Sequence, residues 1–139
     1  LFVLEAAVAM VDAFDEERQR EVVDAFFRAA RAGDFEGLVA VLDPDVVLRA
    51  DAGGWRPALS LVVRGAEEVA GQAVRFALPH ADLHPALVNG GVGVVVTVRG
   101  RAFSVTGFTV AGDRIVEIDA IMDPERVRRT AAAVLGRAG

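Results

Sequence analysis

No cysteine occurs in this chain, so neither a disulfide framework nor cysteine-ligated zinc can hold it together. No lysine occurs either; all 15 basic residues are arginine. Tyrosine is absent and tryptophan appears once, which leaves eight phenylalanines to supply aromatic bulk. Basic charge is in deficit, with 20 acidic residues and a net charge of -5. That balance speaks against direct nucleic-acid binding, because phosphate contacts need a surplus of basic charge. No apolar run reaches the length of a membrane span. The apolar start, Leu1 to Val11, has no basic segment before it and is interrupted by Glu5, unlike a signal peptide. A cytoplasmic protein is the expectation. No phosphate-binding loop and no serine-elbow motif is present.

What is present suits one globular domain. The length of 139 residues fits a single core, and hydrophobic residues at 53% are enough to fill it. Abundant alanine, valine, glycine and arginine read as high-GC bacterial coding. Residues 1–15 are expected to be an extension, linker or tag remnant, with a short amphipathic helix as the other reading. Residues 16–139 are the expected domain.

Periodicity supplies the elements. Val22, Val23, Phe26, Phe27 and Ala30 recur at helical spacing over 16–32, and Gly33 stops that helix. Asp34 is the expected N-cap of a shorter helix that ends at Asp43-Pro44. Val46-Val47-Leu48 and Leu59-Leu61-Val63 read as strands, and 65–77 returns to helical spacing. Strands follow at about 84–89, 92–98, 101–110 and 114–122. They are separated by Asn89-Gly90, Arg99-Gly100 and Ala111-Gly112-Asp113. Pro124 takes the first position of a final helix. The fold class is α+β: a curved, mainly antiparallel sheet against about three helices on one side, plus a C-terminal helix. Phe26, Phe27, Phe76, Phe103 and Phe108 are expected in the core.

Several residues could carry chemistry. Asp51, at a strand end before Ala52, Gly53 and Gly54, is either a carboxylate in a contact loop or a turn former. Asp119 lies late in a strand. In an apolar pocket its pKa would rise, which suits a general acid or base; on the outer face it would be a surface or ion-paired group. Period-2 alternation does not say which face looks inward. His80 and His84 flank Asp82, but two prolines make that stretch a loop, so no metal site is expected. His84 could face a pocket. Trp55 either lines a pocket or anchors a contact. Arg126, Arg128 and Arg129 form a basic end, read as a solvated helix face or a contact for a partner.

The element order is similar to the NTF2-like superfamily, a cone of curved sheet and helices around a pocket. The local sequence resembles something narrower. Val22-Val23-Asp24-Ala25-Phe26-Phe27, Ala32-Gly33-Asp34-Phe35 and the run from Val41-Leu42-Asp43-Pro44-Asp45 through Val46-Val47-Leu48-Arg49-Ala50-Asp51 look like a SnoaL-like domain. The similarity is to the SnoaL-like domain that follows the DNA-binding part of group 41 extracytoplasmic-function sigma factors and their SigJ-type relatives. Val63-Arg64-Gly65-Ala66, Leu87-Val88-Asn89-Gly90 and Ile115-Val116-Glu117-Ile118-Asp119 extend the match over roughly residues 16–130. The family's glycine-rich motif reads Asp51-Ala52-Gly53-Gly54 here, with alanine at one usual glycine. Its asparagine-proline-aspartate-lysine segment reads Asp123-Pro124-Glu125-Arg126.

The resemblance implies a regulatory domain that modulates the sigma regions of its own polypeptide and, through them, RNA polymerase. A small apolar ligand and a second copy of the chain are further candidate partners. Asp51, Gly53, Gly54, Trp55, His84, Asp119, Asp123 and Pro124 are then the ligand-binding or regulatory candidates, with no cofactor. The competing reading is a small SnoaL-like isomerase, hydratase or cyclase using Asp119 or Asp51 as acid–base. The ketosteroid isomerases of the superfamily need a tyrosine donor. This chain has none, which moves weight from catalysis to regulation.

Overall fold

The computed structural model describes residues 13–53, 60–75, 77, 80–88 and 91–138. The readings made of residues 1–12, Gly54, Trp55, Phe76 and the Asn89-Gly90 turn therefore lie outside the described residues. The chain runs α1 (Ala13–Ala32), α2 (Phe35–Val41), β1 (Leu42–Asp51), β2 (Leu61–Arg64), α3 (Ala66–Arg75), β3 (Asp82–Val88), β4 (Gly91–Val98), β5 (Arg101–Ala111), β6 (Arg114–Ile121) and α4 (Pro124–Ala138).

Local chemistry accounts for the boundaries. Gly33 takes φ +68, a left-handed value that ends α1 at little cost. The Asp34 side chain accepts a hydrogen bond from the Gly37 N–H at 2.9 Å and so caps α2. Arg99 and Gly100 both take positive φ, at 54 and 79, which makes the tight β4–β5 turn.

Six strands form one sheet in the order β2-β1-β6-β5-β4-β3. Four of the five pairings are antiparallel; β1 and β6 are parallel. β1 begins at Leu42, earlier than its β-branched run suggests. Pro44 is tolerated because the β1–β6 register breaks between Leu42 and Val47.

The two faces of the sheet are packed separately. One face meets α1–α3: Val92, Val94 and Val96 of β4, Phe108 of β5 and Ile115 and Ile118 of β6 pack with Val23, Phe26, Leu38 and Val69. Phe26, Phe27 and Phe108 stack edge to face there, with centroids 5.3–5.6 Å apart. The opposite face meets α4: Ala86, Val88, Val95, Val105 and Ile121 pack with Val127 and Ala131. Three helices thus lie on one side, as expected, and the C-terminal helix takes the other. β4, buried at Val92 through Thr97, is apolar at alternate residues in both senses because both of its faces are covered.

Phe103 is a correction. It is 48% exposed rather than in the core. The β4–β5 register steps from Val96↔Ser104 to Thr97↔Ala102, so Phe103 is the extra residue of a bulge and leaves the alternation.

Candidate functional site

The stretch where β1 ends and α4 begins brings together two segments 70 residues apart. β1 and β6 run parallel, so their C-terminal ends lie side by side, with Asp51 opposite Ile121. The Met122 N–H donates to the Asp51 carbonyl at 2.8 Å, extending the pairing one residue past the strand. Asp51 shares the α4 face of the sheet with Ile121. Its Oδ2 accepts a hydrogen bond from Arg126 Nη1 at 2.8 Å, and its Oδ1 accepts one from the Gly53 N–H at 2.8 Å. Arg126 sits in the first turn of α4, and that position carries it back over the sheet end.

Gly53 is held on the other side. It takes φ +73, and a Cβ there would lie 2.9 Å from the Asp123 carboxyl carbon. Backbone conformation and close approach thus each call for glycine at this position. Asp123 in turn accepts from the Glu125 N–H at 3.3 Å, and its carbonyl accepts from the Val127 N–H at 2.8 Å, which starts α4. Ser60 closes the loop from beyond, its Oγ accepting from the Ala52 N–H at 3.0 Å. Asp51, Gly53, Asp123 and Pro124, singled out from the sequence, are therefore one junction. Arg126, read there as one of three arginines at a basic end, is its ionic partner. The signal was present in the sequence only in part: the second motif carries an arginine beside its two acidic residues, and the resemblance links both motifs to control.

The electrostatics of Asp51 do not suit acid–base work. The Arg126 hydrogen bond, then the Gly53 N–H, hold its carboxyl below the usual carboxylate range. A general acid or base working near neutrality needs the opposite shift.

Asp119, whose face alternation left open, lies on the outer side of the sheet. It pairs with Arg49 and Gly107 in register and lies on the face opposite α1–α3, one residue from Ile118, which is in the α1–α3 core. Its carboxylate is 3.4 Å from Arg49 Nη1, and Glu117 is 3.8 Å from the same nitrogen. His84 shares that outer face, opposite Val95, with Nε2 3.0 Å from Thr97 Oγ1. It does not look into the cone. His80 is exposed. The polar groups that do sit on the inner face are Ser104 and Thr106, opposite Val96 and Val94, with hydroxyls 3.5 Å apart and both residues buried. Sequence reasoning passed over both, since isolated Ser and Thr in a strand carry no signal of their own.

Surface grooves occur among the described residues. One, of about 290 Å³, is lined by Arg18, Gln19, Val110 and Gly112. Another, of about 600 Å³, is lined by residues that include Val39, Leu42, Pro44, Gly65, Glu68 and Arg114. The lining of neither includes Asp51, Gly53, His84, Asp119, Asp123 or Pro124. Among the described residues, no helix is long and apolar enough to cross a membrane.

No family model matches the chain. The chain is 28% identical over 137 residues to the extracytoplasmic-function RNA polymerase sigma factor SigJ of Mycobacterium tuberculosis, across 87% of this chain and 43% of that protein. The crystal structure of SigJ superposes with a TM-score of 0.58 at 30% identity, over 82% of this chain and 46% of that chain. The chain thus spans less than half the length of this relative. An NTF2-like protein from Burkholderia xenovorans LB400 matches with a TM-score of 0.57 at 24% identity, over 83% of this chain and 96% of that one. A de novo designed protein with a curved β-sheet matches equally well, at 0.58 and 22% identity, over 83% and 93%. The fold is NTF2-like, and the resemblance to SigJ-type sigma factors rests on sequence as well as shape. A designed protein shares the shape, so shape alone carries no function.

Proposed function

We propose that the chain is a regulatory domain of an extracytoplasmic-function sigma factor, acting on the sigma regions of the same polypeptide and so on transcription initiation. The observation that carries this reading is the junction of Asp51 and Gly53 with Asp123 and Arg126. Both motifs that the resemblance ties to regulation fall in it, and they touch each other. The 28% identity to SigJ supports the same reading.

The junction does two physical things. It fixes the loop after β1 against the start of α4, through one ion pair, one close glycine contact and the Met122 N–H bond to the Asp51 carbonyl, while the Gly53 N–H bond to the Asp51 carboxylate braces the loop itself. It also leaves Asp51 54% exposed, so the carboxylate is held in place but still presented outward. A loop held this way can receive another part of the polypeptide with little further ordering cost. The Asp51 carboxyl is shifted away from proton transfer near neutrality, and Asp119 lies on the face opposite α1–α3. The regulatory reading is favoured over the isomerase, hydratase or cyclase reading on that ground.

The test is transcription in vitro with the full-length sigma factor and RNA polymerase, comparing wild type with Asp51→Ala and Arg126→Ala. Both variants should change output in the same direction, several-fold, while the isolated domain keeps its fold by circular dichroism. Unchanged output from both would remove the junction's regulatory role.

A further inference from the structure

The β4–β5 hairpin reaches past the end of its neighbour. β5 pairs with β6 from Val105, opposite Ile121, onward, so Arg101 to Ser104 run beyond the end of β6 with β4 alone beside them. Val105 and Asp51 both lie opposite Ile121, so this overhang stands at the same end of the sheet as the junction. Phe103 is two residues past that row, about 7 Å at the rise of a strand.

Two features of the tip run against local preference. Arg99 takes φ 54 at the first position of the two-residue turn, where Asn, Asp or Gly would sit with less strain. The bulge turns Phe103 out of the alternation, where a phenylalanine would ordinarily be buried. Charges and a bulge can guard a strand edge against unwanted pairing, but an exposed phenylalanine does not serve that end. Arg99 and Arg101 are both exposed. Among the described residues neither forms an ion pair, whereas Arg18, Arg49 and Arg126 each do.

We propose that this tip docks an acidic segment of a partner protein, one that presents an apolar side chain between carboxylates. Phe103 takes the apolar group, and the guanidinium forks of Arg99 and Arg101 take the carboxylates. Aromatic residues and arginine are the types that anchor protein interfaces. The choice of occupant follows from charge. A basic segment would meet like charge, and a purely apolar one would draw two arginines out of water without partners. A nucleic acid would meet a chain of net charge -5, with Asp82 exposed on β3 across from Thr97 and Asp51 exposed at the same sheet end. Two arginines do not supply the basic surplus that phosphates need. The proposal stands on the hairpin alone and does not depend on the regulatory role of the junction.

The experiment is fluorescence anisotropy on the chain with labelled probes: a peptide with one leucine flanked by glutamates, the same peptide with lysines for glutamates, and single-stranded oligo-thymidine. Wild type should bind the glutamate peptide, more weakly as salt rises, and neither of the others. Arg101→Glu and Phe103→Ala should each weaken binding about tenfold. Arg28→Glu, at an exposed position of α1, should leave it unchanged. Arg99→Asn separates a contact from a structural role. Asparagine suits the left-handed turn, so the melting temperature should hold or rise while peptide binding falls. A wild type that does not bind the glutamate peptide, tip variants that bind as wild type does, or oligo-thymidine bound as tightly as the peptide would each overturn the proposal. So would self-association of the wild type that Phe103→Ala abolishes, since the occupant would then be a second copy.

Discussion

Arg20 of α1 donates to the carbonyl of Gly93 in β4 at 2.7 Å, and a second guanidinium nitrogen donates to the Ala86 carbonyl of β3 at 3.1 Å. One side chain thus ties the first helix to two neighbouring strands of the sheet. Burial holds its pKa below the usual arginine value, partly offset by Glu16 and Asp24. Arg20→Met keeps the stem and removes the donors to both part-buried carbonyls. It should cost about 1–3 kcal/mol in urea unfolding. Arg20→Lys should recover only part, because an ammonium cannot reproduce the planar fork.

Gly53 and Gly112 separate two kinds of glycine requirement. Both have positive φ, +73 and +63, but nothing lies within 4 Å of a Cβ built on Gly112, whereas one on Gly53 meets Asp123. Gly112→Ala should cost about 1–2 kcal/mol, the price of a left-handed alanine. Gly53→Ala should cost more, because Asp123 must also move. Asp123→Gly in the Gly53→Ala background should recover part of the difference, as read by denaturant midpoints.

The Asp51–Arg126 pair sets a pH dependence whose sign is fixed. The folded carboxyl is held below its unfolded value, so its contribution is full above the ordinary carboxylate range and is lost as pH falls through the depressed value. Asp51 is more than half exposed, so a double-mutant cycle of Asp51→Asn with Arg126→Gln should give a coupling of about 0.2–1 kcal/mol at neutral pH. The coupling should vanish once the carboxyl is protonated. A coupling that grows on acidification would contradict the assignment.

The phenylalanines should divide by location rather than by type. Phe108 is 4% exposed and edge-on to both Phe26 and Phe27, so Phe108→Ala should cost about 3–5 kcal/mol. Phe103, on the β5 bulge, should cost under about 0.5 kcal/mol on truncation to alanine. Thermal unfolding of the two variants checks the contrast.

Much of this was legible in the chain before any coordinates. Local rules placed the helices and strands: the Asp34 cap, the Arg99-Gly100 turn and Pro124 at the start of α4 each act within a few residues. The side of the sheet that α4 would choose was not legible, because β4 is apolar at successive positions and reads the same from either face. The same ambiguity hid the direction of Asp119: only the register, with Ile118 facing the α1–α3 core, resolves it. A bulge such as the one at Phe103 shifts alternation by one residue and leaves no local mark. In the junction, the motifs named Asp51, Gly53, Asp123 and Pro124, but the contact itself depends on the parallel β1–β6 pairing, a relation between residues about 70 positions apart.

That parallel pairing also orders events in time. β1 is finished by Asp51, yet one of its two neighbours in the sheet is β6, which begins at Arg114. During synthesis the first strand must wait, half-paired with the four-residue β2, until more than 60 further residues have emerged. A stalled nascent chain ending at residue 113 should remain open to protease, and one carrying residues past 138 should resist it. A control element built on this closure would be present only once the chain has been made through α4.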